Sequence, residues 1–118
     1  MTMEKPMKMI AATIRPAKFP DVKDALLRAH FSRMTVFNVN GYSKLENSSG
    51  NYGGGSEEAN LLGKVRIEIA CNDDKVQSII DVIRKAASTR SSGDGIIIVS
   101  DIRQCFRIRT CEEGPEAL

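Results

Sequence analysis

Arg107 and Arg109 stand two residues apart in an alternating segment, 105–110 (CFRIRT). Residues two apart on a strand share a face at a spacing of about 6.6 Å. Their guanidiniums are therefore expected to project side by side, with planar forks suited to phosphate oxygens. Gly93 and Gly95 bracket Asp94 in a small-residue loop, 89–95 (TRSSGDG), whose backbone N–H groups can form an anion-binding nest. The bland alternative is an ordinary turn, with arginines that pair with carboxylates. Spacing alone leaves both readings open.

The case for catalysis is thinner. His30 is the only histidine, at the end of an expected helix, where a surface or helix-terminal role fits best. No Cys/His cluster has zinc-ligand spacing, and no metal site is expected. Asp73/Asp74 read as a helix start and Glu112/Glu113 as a solvated tail. Cys111 beside Arg109 is the one candidate nucleophile, set against an ordinary packing role. No catalytic residue is assigned.

Some element must position these groups, and 118 residues is a length for one domain. With 42% hydrophobic and 5% aromatic residues and no Trp, the core must be aliphatic. A net charge of +2 gives no support for nucleic acid as partner. Three cysteines without CxxC spacing argue against a disulfide-built secreted domain. The N-terminal segment lacks the apolar run of a signal peptide, and no apolar stretch reaches membrane-spanning length. A cytoplasmic protein is expected.

Residues 7–14 read as a first strand ending before Pro16. Pro20 suits the first turn of a helix running to about His30, with Val22, Ala25, Leu26 and Ala29 on one face. A second strand spans 34–39 (MTVFNV) and stops at Gly41. Residues 43–63 hold NSSGN and GGGS and read as a long flexible loop whose length points to function. In 64–70 (KVRIEIA) Val65, Ile67 and Ile69 alternate with Lys64, Arg66 and Glu68, a half-buried strand. Asn72, Asp73 and Asp74 offer caps for a second helix with a stripe of Val76, Ile79, Ile80, Ile83 and Ala87. Residues 96–99 (IIIV) read as a buried strand, and 105–110 as a final added strand. The expected fold class is α+β, ferredoxin-like βαββαβ with an added C-terminal strand. Both helices then cover one sheet face and leave the other for a second subunit.

Residues 7–113 resemble the PII signal-transduction family. The likeness rests on Ile14-Arg15-Pro16, Val22-Lys23-Asp24-Ala25-Leu26, Met34-Thr35-Val36, Gly41-Tyr42, Lys64-Val65-Arg66-Ile67-Glu68-Ile69, Thr89-x-x-x-Gly93-Asp94-Gly95 and Arg107-Ile108-Arg109-Thr110. The long segment falls where the family has its T-loop. The resemblance implies a homotrimer with ADP or ATP in intersubunit clefts. It also implies a T-loop that docks on a transporter, channel or metabolic enzyme, at the membrane periphery where the partner is a transporter. By matching position, Gly93, Asp94 and Gly95 would cradle phosphates gripped by Arg107 and Arg109. Thr35 and Glu68 would meet the adenine end. Gly41, Tyr42, Ser43 and Lys44 would form one base of the T-loop and Lys64 its other foot.

Three departures qualify the resemblance. Ile96 stands where the family has a phosphate-binding lysine, which weakens the grip on a terminal phosphate. Leu45 replaces a glutamine that helps hold Mg²⁺ and 2-oxoglutarate, and an alkyl chain cannot ligate a hard cation. Glu57 occupies the tyrosine modification position, while Tyr52 lies elsewhere in the loop. The expected function is a PII-like regulator that binds adenine nucleotide, with 2-oxoglutarate sensing lost or weakened. The alternatives are a trimeric interaction module without nucleotide and a small ferredoxin-like enzyme using Cys111.

Overall fold

Alternating strands and amphipathic helices assemble here because every apolar stripe finds the same interior. The computed structural model describes residues 6–42 and 61–118. In chain order it contains β1 (Met7–Ile14), α1 (Phe19–Arg28), β2 (Thr35–Tyr42), β3 (Leu61–Asn72), α2 (Val76–Ala87) and β4 (Gly95–Ile102). The sheet order is β2-β3-β1-β4, with every neighbouring pair antiparallel. The ferredoxin-like split βαβ arrangement is therefore present.

Register sorts the side chains. Ile10 pairs with Ile69, Ala12 with Ile67 and Ile14 with Val65, and all six point to the helices and are buried. Val22 and Leu26 of α1 and Ile79, Ile83 and Ala87 of α2 close the same cluster. Burying an aliphatic side chain of this size contributes about 1.5–3 kcal/mol.

The opposite face carries the rows Thr35–Glu68–Ala11–Ile98 and Phe37–Arg66–Thr13–Ile96. No helix covers it, so Ile96 is 60% exposed, Ile98 50% and Phe37 40%. The expectation that 96–99 is a buried strand thus holds only for Ile97, which packs against the core. Ile96 and Ile98 face the open side, because both helices lie on the other, and Val99 shares the face of Ile97 yet stays 40% exposed on this edge strand.

The helix ends follow local chemistry. Pro20 sits in the first turn of α1, after a short 3-10 turn at Pro16–Lys18. At the other end Phe31 N–H bonds Leu26 O and His30 N–H bonds Leu27 O, with His30 in the left-handed region at φ 71°. These are the two bonds of a Schellman closure. His30 thus lies just past the helix. Asn72 makes no side-chain cap at the 3-10 turn Asp73–Lys75 that precedes α2, contrary to the capping expectation. The Asp73 N–H instead donates to Pro6 O at 2.9 Å.

Several boundaries move. Residues 61–63, expected as loop, extend β3 and pair with Tyr42, Gly41 and Asn40. Residues 43–60 lie outside the described residues, and with them Ser43, Lys44, Leu45, Tyr52 and Glu57.

The expected strand at 105–110 is a correction of another kind. Only Phe106 makes a bridge, to Glu113, and 108–110 form a turn. Arg107 N–H bonds Glu112 O, Cys111 N–H bonds Arg107 O, and Gly114 N–H bonds Cys105 O. A segment whose backbone groups close on one another has none left to extend the sheet. Glu112 and Glu113 are exposed, as a solvated tail requires, and the chain after them closes into a 3-10 turn at Gly114–Ala117 that buries Gly114 and Ala117.

Ile67 is fully buried at the centre of β3. Ile67→Ala is expected to cost about 2–5 kcal/mol in urea denaturation. Ser78→Ala, on the exposed side of α2, should stay within about 0.5 kcal/mol.

Candidate functional site

The turn between α2 and β4 has a shape that only glycine permits. Gly95 has φ +116°, and a Cβ there would lie 1.8 Å from Thr13 O. Gly93 has φ +92°, with Arg15 Nη2 3.1 Å from where its Cβ would be. Both values fall in the left-handed region, which L side chains avoid. The close approach arises because Ile14 of β1 lies opposite Gly95 in the sheet.

Asp94, between the two glycines, turns its carboxylate back onto the protein. Its Oδ2 accepts the Thr89 N–H at 2.7 Å, and its Oδ1 accepts both the Thr89 hydroxyl and Arg15 Nε–H, the latter at 3.0 Å. The Thr89 hydroxyl and N–H, and then Arg15, hold this carboxyl well below the usual carboxylate range. Arg15 Nη2 also donates to Ser92 O at 2.7 Å, and Lys64 Nζ to Gly93 O at 2.6 Å. Two cations from two different strands therefore meet at one turn.

Other predicted site residues fall into groups. Lys64 Cγ lies 3.5 Å from where a Cβ on Gly41 would be, so Gly41 and Lys64 sit together beside the turn. Tyr42 follows Gly41 and is 55% exposed. Thr35 and Glu68 are directly opposite one another on the open sheet face. Four residues separate Glu68 from Lys64, about 13 Å along the strand. Arg66 Nε donates to Glu68 Oε2 at 3.0 Å.

Arg107 and Arg109 depart from expectation. They do not share a strand face, because the chain turns at 108–110. Arg107 Nε is 3.6 Å from Glu112 Oε1 and is shielded from solvent without a hydrogen bond. Arg109 is exposed. Among the described residues no hydrogen bond or ion pair joins either arginine to the glycine turn of the same chain. Cys111 closes their hairpin at φ 62° and is exposed. Burial, and then Asp73 and Asp74, push the Cys71 thiol upward.

Arg15 and Thr89 were not singled out as site residues from the sequence. Both belong to motifs visible there, yet only the pairing of β1 with β4 brings Arg15 to Asp94. A cavity of about 790 Å³ opens beside the turn on the helix side, lined by Asp94, Ile96 and Ile97 and by Ile80, Arg84 and Ser88. Among the described residues no cluster of His, Cys, Asp or Glu has the arrangement of a metal site. No described helix is long and apolar enough to cross a membrane.

A ferredoxin-like sheet with a glycine turn closed by Lys64 of β3 and by Arg15, just beyond β1, leaves a wide class of small α+β domains open. The comparisons narrow it. Residues 7–112 match the family model for nitrogen regulatory protein P-II. The chain is 41% identical over 112 residues to the nitrogen regulatory protein P-II of Porphyra purpurea, covering 95% of this chain and all of the relative. It is 37% identical over the same length to the nitrogen regulatory protein GlnK of Escherichia coli strain K12. The crystal structure of Arabidopsis thaliana PII bound to citrate superposes with a TM-score of 0.79 at 30% identity, over 98% of this chain and 94% of that one. The chain belongs to the nitrogen regulatory protein P-II family, a family of signal-transduction regulators.

The depressed Asp94 carboxyl fixes the sign of a pH effect. Its contribution to stability is complete above the unfolded value of about 3.9 and is lost as pH falls through the folded value. Asp94→Asn should therefore be less stable than wild type at pH 7, with a gap that begins to narrow below about pH 4 and shrinks further towards the folded value. Urea midpoints between pH 2 and 7 check this, and a gap independent of pH would contradict it.

Proposed function

We propose that this protein is a P-II regulator whose effector is an adenine nucleotide, ADP or ATP, seated with its phosphates on the Gly93-Asp94-Gly95 turn. The observation that carries the reading is the turn itself. Two glycines at positive φ shape the turn as a candidate nest, and Arg15 and Lys64 place positive charge beside it. Such a nest favours an anion. Gly41 and Lys64 would lie against the phosphates, with Tyr42, Ser43 and Lys44 continuing into the loop.

The same reading makes the active form a homotrimer. Phe37 and Ile98 give the open face of the sheet apolar area suited to burial against another subunit. Thr35 and Glu68 of one subunit would then meet the adenine end of a nucleotide held by its neighbour. Arg107 and Arg109 would reach the phosphates across the same boundary, which accounts for their distance from the turn in their own chain. The loop at 43–60 would carry the output to a transporter, channel or metabolic enzyme in the cytoplasm. Leu45 gives no ligand for Mg²⁺, so nucleotide binding would depend little on the metal and 2-oxoglutarate sensing would be lost or weakened.

Isothermal calorimetry with ADP and ATP, with and without Mg²⁺ and 2-oxoglutarate, tests this. ADP and ATP should bind with little dependence on Mg²⁺, and strong Mg-ATP-dependent binding of 2-oxoglutarate would refute the loss of sensing. Arg107→Ala and Arg109→Ala should each weaken binding by about 1–3 kcal/mol, the scale of a charged hydrogen bond.

A second reading is a trimeric interaction module that no longer takes nucleotide, favoured by the exposed, uncharged Ile96. Thermal melts separate the two. A ligand at a hundred times its Kd adds about 2.7 kcal/mol of stability, and a module without the site gains nothing.

A further inference from the structure

The residue that follows the glycine turn, Ile96, brings no charge to it. The cations come from other strands: Arg15 from just beyond β1 and Lys64 from near the start of β3. The two Arg15 bonds, to Asp94 and to Ser92 O, engage two of the five N–H groups of its guanidinium. Its side chain is 35% exposed, so the fork is reachable from solvent. Both terminal nitrogens border the side of Gly93 that lacks a side chain, Nη2 at 3.1 Å and Nη1 at 3.9 Å from where a Cβ would be. The guanidinium therefore packs against the bare backbone of Gly93, where a side chain would crowd it, and an anion at the turn would find the fork directly beside it.

Charge points the same way. Arg15 and Lys64 against Asp94 give two cations and one carboxylate, a net charge of +1 at the turn. Thr89 satisfies Asp94 with two further donors, so the carboxylate does not depend on Arg15 alone. The ion pair fixes the arginine in place, so its fork is preorganised and little rotamer entropy remains to be lost on binding.

We propose that Arg15 is a phosphate-contacting residue, presenting its guanidinium to an anion seated on the turn and supplying the charge that β4 lacks. The proposal rests on the nucleotide reading above and adds to it a binding residue from β1. It also assigns a role to the exposed position 96: a cation introduced there would do the same work.

ADP titrations of wild type, Arg15→Gln, Ile96→Lys and the double variant test this, with melting curves of each nucleotide-free protein to establish that it is folded. Arg15→Gln should weaken ADP binding about tenfold or more, the effect of losing a charge-assisted hydrogen bond. Ile96→Lys in that background should recover most of the loss. Unchanged affinity in Arg15→Gln overturns the proposal. So does a loss that Ile96→Lys fails to restore, which would mean that Arg15 acts only through the shape of the turn. If wild type itself does not bind ADP, the nucleotide reading falls and this proposal with it. Wild-type binding with an indifferent Arg15→Gln removes only the proposal.

Discussion

The approach of Gly95 to the carbonyl of Thr13 is the constraint from which the site is built. At 1.8 Å from that oxygen no Cβ can exist, so β4 must begin with a residue that has none. With Gly95 in place, β4 can start beside the end of β1, and Arg15 is delivered to Asp94. The carboxylate then has donors from both directions, Thr89 behind it and Arg15 across the strand boundary. Its ionised form is favoured because four lone-pair sites meet charged and neutral donors in a fixed geometry. The turn is rigid for these reasons, and its backbone N–H groups gain a defined direction.

The aspartate between the glycines therefore has a different role from its neighbours. Its side chain is occupied within the protein, so a ligand at the turn would meet the backbone groups and the cations around it. Those cations are not adjacent in the sequence. Arg15 and Lys64 are separated by the whole of α1, by β2 and by residues 43–60, yet both donate to carbonyls of the same turn. Lys64 is also close to the foot of the segment 43–60, so one side chain touches both the turn and the strand through which that segment re-enters the sheet. A ligand that competed for the Lys64 ammonium would alter a contact made by that strand.

The two faces of the sheet divide structural from associative work. The helix side is closed by aliphatic residues and holds the chain together. The open side mixes Phe37, Ile96 and Ile98 with Arg66 and Glu68. Its apolar area would be costly to leave in water over a whole sheet. Arg107 and Arg109 belong to a hairpin that satisfies its own backbone and stands outside the sheet, with Arg109 exposed and the Nε of Arg107 shielded from solvent.

Much of the fold was legible before any coordinates. The 3.6 and 2 periodicities of 22–29, 64–70 and 76–87 report burial directly, because water penalises an apolar face wherever it lies. The Gly-Asp-Gly turn was legible for a similar local reason: two glycines around one acid mark a backbone that side chains cannot follow. What periodicity could not settle was which side of the 96–99 run would be covered, since an unbroken apolar stretch looks the same with one face buried or two. Nor could alternation at 105–110 distinguish a strand from a hairpin, because hydrogen-bond partners are chosen by neighbours and not by the segment itself. The clasp of Arg15 on Asp94 is a property of the tertiary structure alone. The two are seventy-nine positions apart, and only sheet register makes them neighbours.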